Sequence, residues 1–214
     1  MKKLLNILTS FSLAIFIICG SIIVGLKFKS LYYYDVKKLN ISDVSGFSDD
    51  EIKLNYDYLI DYNLNNKVEE FNLPTIKYST QGKIHFEEVR DIFQNVKILT
   101  IITGIISIIG GIIQIRKKEF KFLRNSSILI IVMPVLLAIP IAINFNACFI
   151  MFHKIMFSND YWIFNPEIDP VINMLPETFF MHMGVAILAI MLICSIVLQL
   201  IYRKLKTINY DNLK

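Results

Sequence analysis

The sequence predicts an all-α membrane protein with four transmembrane helices and a mostly helical extracytoplasmic head segment between helices 1 and 2. Of the 214 residues, 55% are hydrophobic, and the mean hydropathy is +0.54. Four apolar stretches are long enough to cross a hydrocarbon core of about 30 Å at about 1.5 Å per helical residue. One long polar and aromatic stretch separates the first two of them. This composition excludes an ordinary soluble domain.

The charges divide the chain into eight predicted segments. They are 4–26 (transmembrane helix 1), 27–95 (head segment), 96–115 (transmembrane helix 2), 116–125 (cytoplasmic loop), 126–151 (transmembrane helix 3), 152–177 (extracytoplasmic loop), 178–202 (transmembrane helix 4) and 203–214 (cytoplasmic tail). The start Met1-Lys2-Lys3 is typical of signal peptides. However, the next 23 uncharged residues exceed the roughly 7 to 15 of a signal peptide's apolar core, and no Ala-x-Ala-like site follows. We therefore expect an uncleaved first helix.

Local patterns predict the course of the chain inside these segments. In the head segment, Ser48 and the three acidic residues after it favour a helix start, and apolar residues then follow at helical spacing: Ile52, Tyr56, Leu59 and Ile60. A second helix is predicted to begin near Ser79 and to run into transmembrane helix 2. In transmembrane helix 3, Pro134 and Pro140 predict kinks.

The distribution of charge predicts the orientation. If both termini and the 116–125 loop are cytoplasmic, the inside holds 11 of the 22 Lys and Arg residues and two of the 18 acidic residues. The inside then carries +9 and the outside −5. This agrees with the positive-inside rule, although Lys27 and Lys29 argue mildly the other way.

The sequence lacks the residue patterns that are typical of several functional classes. It contains no His-Glu-x-x-His, no Gly-x-Ser-x-Gly, no Gly-rich phosphate loop and no basic, aromatic patch suited to nucleic acid. The uncharged stretches hold none of the ionisable groups that pumps and proton-coupled transporters keep at membrane depth. The three cysteines lie in apolar runs, so neither a disulfide framework nor a thiolate metal site is predicted.

All three histidines, His85, His153 and His182, fall on the predicted outer side. Two imidazoles at a lipid interface suit acyl transfer, because one takes a proton from an attacking amine and another returns one to a leaving alkoxide. A zinc site is disfavoured because the carboxylate-bearing helical spacing is missing. His182 lies inside the start of helix 4, where it could simply hydrogen-bond its neighbours. A structural role for all three rings stays open at this point.

Two histidine-bearing motifs resemble those of a known family. They are Gly82-Lys83-Ile84-His85-Phe86-Glu87-Glu88-Val89-Arg90-Asp91-Ile92-Phe93, and Phe152-His153 with Trp162-Ile163-Phe164-Asn165-Pro166, Asp169-Pro170 and Leu175-Pro176-Glu177. With them the chain resembles the lipoprotein intramolecular transacylase family, Lit, over nearly its whole length. The resemblance implies a bacterial multi-pass enzyme of the cell membrane with its active site at the extracytoplasmic face. Such an enzyme makes lyso-form lipoproteins by moving the sn-2 acyl chain of diacylglyceryl-cysteine to the α-amine of the same cysteine.

The resemblance also implies roles for individual residues. His85 and His153 match the essential histidines of the family, whereas His182 matches no family motif. We expect His85 to be the base, oriented by Glu88 one turn on, and His153 to be the proton donor, with the reversed assignment left open. The residues that match the outer-loop signature, and for which we expect substrate contacts, are Trp162, Phe164, Pro166 and Asp169. Asn165 departs from the family, which commonly has Asp before the proline, so no charge acts there.

The expected partners follow from this assignment. They are the diacylglyceryl-modified N-terminus of a lipoprotein as substrate and the membrane lipid, with no cofactor, no metal and no nucleic acid, and the chain is expected to be a monomer. The alternative is a non-enzymatic membrane adaptor or assembly protein with a partner-binding outer domain. An adaptor has no need of two separated histidines, so replacing both should leave it folded and bound.

Overall fold

The computed structural model describes residues 2–65, 68 and 70–211. Within these residues the chain forms α-helices and one short 3-10 helix, and no strand occurs among them. The α-helices are α1 (Lys2–Lys27), α2 (Lys29–Lys38), α3 (Ile41–Ser45), α4 (Asp49–Leu64), α5 (Thr80–Arg116), α6 (Lys121–Ile143), α7 (Phe145–Met156) and α8 (Glu177–Asp211), and the 3-10 helix is Pro170–Met174. The fold is therefore all-helical, as the sequence predicts.

Four of these helices, α1, α5, α6 and α8, are long and apolar enough to cross a membrane. Their surfaces carry many large apolar side chains that the protein itself leaves uncovered. For example, Ile101 and Ile108 on α5 are 62% and 64% exposed, and Leu136 on α6 is 65% exposed. Soluble monomers rarely expose apolar surface so extensively. The acyl chains of a bilayer would cover it.

The described residues pack into two compact units. The first comprises Met1–Val24, Val96–Ile139 and Ala186–Lys214. Its apolar centre is formed by Ala14, Ile130 and Met191. Gly110 lies so close to Thr9 that a Cβ at position 110 would overlap the threonine hydroxyl. Close approach over small residues is typical of helices packed in lipid, where association depends on van der Waals contact.

Polar side chains also join the helices of this first unit. Asn6 donates to Gln114 at 3.1 Å and accepts from Asn125 at 2.9 Å. Ser195 donates to the carbonyl of Ser127 at 2.7 Å. In an apolar surrounding these groups have no water to bind, so each bond fixes how its two helices pack.

The second unit comprises Gly25–Asn95 and Pro140–Val185. Ser48 caps α4 by accepting a hydrogen bond from the Glu51 amide at 3.3 Å. The predicted apolar face of that helix is buried, with Ile52 fully covered and Tyr56 2% exposed. Tyr56 stacks on Tyr32 of α2 with ring centroids 3.7 Å apart, and Phe179 of α8 meets the edges of both rings.

The predicted third transmembrane helix, 126–151, is interrupted in the structure. The chain remains helical past Pro134 and Pro140, ends α6 at Ile143 and starts α7 at Phe145. Asn144 causes the break: its backbone is extended, and its side chain accepts a hydrogen bond from the Ala147 amide at 2.9 Å. Asparagine is a strong N-cap residue, and here it starts a new helix that carries His153.

Candidate active site

The site begins at the first turn of α5. Ser79 caps this helix, because its hydroxyl accepts a hydrogen bond from the Gly82 amide at 2.9 Å. The buried carboxylate of Asp169 in turn accepts from the Ser79 amide at 2.6 Å and from the Ser79 hydroxyl at 2.8 Å. A Cβ on Gly82 would overlap this carboxylate. The 157–169 loop is thus tied to the start of the helix that carries His85.

His85 on α5 and His153 on α7 face each other, with ring centroids 6.0 Å apart. Both are buried, at 6% and 9% exposure. Phe157 contacts both rings, with centroids 4.7 Å from His85 and 5.6 Å from His153. The two imidazoles therefore share one apolar surrounding.

The hydrogen bond of His153 identifies its tautomer. Its Nδ1 lies 2.7 Å from the carbonyl oxygen of Phe149, one turn earlier on α7. A carbonyl oxygen only accepts, so Nδ1 carries the hydrogen and Nε2 of the neutral ring holds a free lone pair. Nδ1 of His85 is buried and has no partner among the described residues.

Burial determines the charge of both rings, which lie outside the uncharged transmembrane stretches. It lowers the pKa of His85 to about 4, and repulsion from His153 contributes to this shift. Burial also lowers the pKa of His153, although the bond to Phe149 opposes the shift. Both rings are therefore neutral at neutral pH, and each offers one N–H donor and one lone pair.

Trp162 and Phe164 complete the surroundings of the two imidazoles. The indole of Trp162 lies against His153 with centroids 4.9 Å apart, and its Nε1 is buried without a partner in the described part of the chain. Phe164 lies 5.4 Å from His85, edge to face. The structure thus brings His85 and His153 together with two of the four residues predicted to contact substrate.

The other two predicted contact residues are placed differently. Pro166 lies in an exposed turn, in which the Asn165 side chain accepts from the Glu167 amide at 3.0 Å. Asp169 uses both carboxylate oxygens on Ser79. The predicted orienting contact from Glu88 to His85 is not seen: Glu88 Oε1 accepts from the side-chain Nδ2–H of Asn159 at 2.7 Å, and Oε2 is buried without a partner among the described residues.

Comparisons with known proteins identify the family of this chain. The family model of the lipoprotein intramolecular transacylase Lit matches residues 7–180. This chain belongs to the Lit family. It is also similar to the solved structure of the membrane-integral lipoprotein intramolecular transacylase Lit from Bacillus cereus, with 42% identity and a TM-score of 0.94 over 100% of this chain and 99% of that one.

Two further structures of the Bacillus cereus protein, its variants H85R and H85A, match with TM-scores of 0.92 and 0.91 at the same 42% identity. They cover 99% and 100% of this chain, and 95% and 96% of theirs. Among curated proteins, none matches the chain significantly. Membership of the Lit family makes the chain a multi-pass membrane acyltransferase. The adaptor alternative is set aside on that ground.

Three features of this Lit family member escaped the sequence analysis. Phe157 and Asn159 look like ordinary loop residues in the sequence. The sequence leaves the role of His182 open, and in the structure its Nδ1 lies 2.9 Å from both carboxylate oxygens of Asp35, which is fully buried on α2. The sequence does contain a signal for this pair, because Asp35 is an acidic residue on a face of α2 that is otherwise apolar.

The described residues contain no group of three or more His, Cys, Asp or Glu side chains placed to hold a metal ion. His182 is bound to Asp35, and His153 is bound through Nδ1 to a backbone carbonyl. The expectation of a metal-free reaction stays a prediction.

The neutral state of the two rings predicts their reactivity toward diethyl pyrocarbonate, which modifies only unprotonated imidazole. In the variant His85→Ala with His182→Gln, His153 is the single histidine. Its modification rate should rise with pH and reach half its maximum below pH 6.5, because burial lowers the pKa of this ring from 6.5. With His153→Ala and His182→Gln, the remaining His85 should also reach half its maximal rate below pH 6.5, because burial, the larger cause of its lowered pKa, stays when the repulsion from His153 is removed. If either histidine reaches its half-maximal rate at a pH equal to or above that of free N-acetylhistidine, the assignment of that ring as buried and neutral is contradicted.

Proposed function

We propose that this chain transfers the sn-2 acyl chain of a lipoprotein's diacylglyceryl-cysteine to the α-amine of the same cysteine. The nitrogen attacks the ester carbonyl carbon, an N–C bond forms, and the bond from that carbon to the sn-2 oxygen breaks. One proton leaves the attacking nitrogen, and one arrives on the sn-2 oxygen. If the amine binds as ammonium, its additional proton passes to solvent. The product is an isomer of the substrate.

One observation carries the proposal: two buried neutral imidazoles face each other in an apolar enclosure that contains unpartnered polar atoms. Unpartnered buried polar atoms cost free energy, so they indicate groups that a substrate satisfies. No nucleophilic side chain is needed, because amine and ester belong to one molecule. Holding the two at near-attack distance supplies up to about 7–11 kcal/mol in the most favourable intramolecular cases.

The tautomer of His153 supports the reversed assignment of the two histidines, in which His153 is the base and His85 is the donor. Its Nε2 lone pair takes the proton from the attacking nitrogen and then returns it to the sn-2 oxygen as the C–O bond breaks. Neutral His85 donates an N–H to the oxygen that becomes negative in the transition state. The unpartnered indole N–H of Trp162 is a second donor for that oxygen. Phe157 and Phe164 keep water from the reacting atoms.

Asp169 and Pro166 act on the substrate indirectly in this mechanism. By binding Ser79, Asp169 holds the loop that presents Trp162 and Phe164 against the start of α5. Pro166 stiffens the exposed turn that leads into Asp169. We assign both as positioning residues.

Purified protein in lipid, given a synthetic diacylglyceryl lipopeptide with a free α-amine, tests the activity. The expected product has unchanged mass, one amide-linked acyl chain and a free sn-2 hydroxyl, which tandem mass spectrometry identifies. Loss of one fatty acid would indicate hydrolysis, and unconverted substrate would contradict the proposal.

The proposed topology places both termini and the loop after α5 in the cytoplasm and the histidine site outside. In a background without the native cysteines, cysteine at exposed Val44 or Asn165 should react with a membrane-impermeant maleimide in intact cells. Cysteine at exposed Lys117 should react only after the cells are opened. Labelling of position 117 from outside would reverse the orientation.

A further inference from the structure

A groove of about 400 Å³ lies beside the two histidines. Glu88 and Ile92 of α5 line one side of it, and residues 154–158 line the other. Phe157 belongs to both places, since it lines the groove and also contacts His85 and His153. Neither histidine lines the groove itself, so Phe157 is the side chain that connects a group bound there to both imidazoles.

Glu88 gives the groove an unsatisfied negative charge. Asn159 donates to Glu88 Oε1 at 2.7 Å, and Tyr161 in turn donates its amide to the Asn159 oxygen at 3.0 Å. Glu88 Oε2 is covered from solvent and has no hydrogen-bond partner among the residues described. A covered carboxylate oxygen without a donor is costly, so the arrangement is incomplete without a cationic or N–H-bearing ligand. Lys154 also lines the groove, but within the described chain no ion pair joins it to Glu88.

We propose that Glu88, held by Asn159, binds the α-ammonium group of the substrate's first residue. This rests on the proposed function, in which that nitrogen must arrive beside His85 and His153. An α-amine with a pKa of about 7.7–8.0 is largely protonated at neutral pH, so the substrate presents a cation of the required charge. Glu88 follows His85 by three residues on α5, so both side chains lie along the same helix face. Glu88 thus holds the nitrogen on the His85 side of the site, and the ring of the proposed base His153 faces His85 at 6.0 Å.

This contact makes Glu88 a specificity residue. A lipoprotein whose α-amine already carries an acyl chain has a neutral amide there, which forms no ion pair with a carboxylate. Glu88 therefore selects lipoproteins with a free α-amine. The reaction itself converts the ammonium into an amide, so the same contact is lost in the product, and product release is favoured.

A binding experiment with a lipopeptide that cannot react tests this assignment. Its two acyl esters are replaced by alkyl ethers, it carries a fluorophore at its C-terminus, and it is prepared with a free or an acetylated α-amine. Fluorescence anisotropy in micelles measures both dissociation constants for each variant. The unaltered chain should prefer the free amine by about tenfold or more, the strength expected of a charge-assisted hydrogen bond. Glu88→Gln should reduce this preference to within about threefold, because the amide still accepts from Asn159 but carries no charge.

Glu87→Gln is the matched control. Glu87 precedes Glu88 on the same helix, does not line the groove, and is paired with Lys83 at 3.9 Å, so its removal should leave the preference unchanged. Equal binding of the two lipopeptides by the unaltered chain would overturn the proposal without any variant. A preference that survives in Glu88→Gln, or falls equally in Glu87→Gln, would also overturn it.

The ether analogue keeps this test separate from the proposed activity. If the ester lipopeptide is converted but Glu88→Gln does not change the binding preference, only the ammonium site is ruled out. If the binding preference depends on Glu88 but the ester lipopeptide is not isomerised, only the proposed acyl transfer is ruled out.

Discussion

Replacing His85 or His153 by alanine is expected to lower the conversion rate of a diacylglyceryl lipopeptide by at least about 100-fold, the usual loss for one general acid-base group. His153→Ala removes the Nε2 lone pair that takes the proton in the proposed mechanism. His85→Ala removes a buried, neutral N–H donor whose ring is 6.0 Å from that of His153. Single-turnover rates, measured by mass spectrometry on protein recovered from membranes, give the two values.

The double variant distinguishes a joint role from two independent ones. Groups that act in one proton-transfer step are strongly non-additive, so the double variant should be little slower than the slower single variant. His182→Gln is the matched control, since glutamine keeps an N–H donor for Asp35, and it should retain most of the activity. Full conversion by the double variant would remove both histidines from the mechanism.

Asp169→Ala is expected to destabilise the protein by about 3 kcal/mol, because it removes two hydrogen bonds to a charged, buried acceptor worth about 1.5–3 kcal/mol each. Both bonds go to Ser79 at the start of α5, where a negative charge is also favoured by the helix dipole. We expect a lower midpoint of thermal unfolding in detergent. Conversion should fall as well, because the loop that carries Trp162 and Phe164 is released.

Three further variants separate this effect from a general sensitivity of the loop. Glu167→Ala alters an exposed residue of the same loop and should leave the midpoint unchanged. Gly82→Ala introduces a Cβ that overlaps the Asp169 carboxylate, so it should act in the same direction as Asp169→Ala. Gly184→Ala has open space around its Cβ and should be neutral. An unchanged midpoint in Asp169→Ala would mean that this carboxylate does not hold the loop.

The helical fold was predictable because it follows from local rules. Uncharged stretches of about 20 residues specify transmembrane helices, and Ser48 and Ser79 mark helix starts that the structure confirms. The interruption at Asn144 was missed because the uncharged run continues through it, and hydropathy does not detect a capping residue within an apolar stretch. The break matters, because α7 starts there and carries His153.

The site was predictable only where a residue's chemistry is independent of its neighbours. Residue type and motif predict the two histidines, and the structure brings their rings together. The sequence predicts substrate contact for Asp169, but no local pattern reports its bond to Ser79, which lies 90 positions away. The same applies to His182 and Asp35, which are 147 positions apart. Long-range pairing decides whether a polar group is free for a ligand or already satisfied.

The central claim, that the acyl chain never leaves its own molecule, is tested by a crossover measurement. Two diacylglyceryl lipopeptides with different peptides and sn-2 acyl chains of different length are mixed with the purified protein in lipid. Mass spectrometry of the products should find only the two parental masses, each with its own acyl chain on its own α-amine. Products that combine the peptide of one substrate with the acyl chain of the other would show an acyl group passing through the enzyme or between molecules, and would contradict the account.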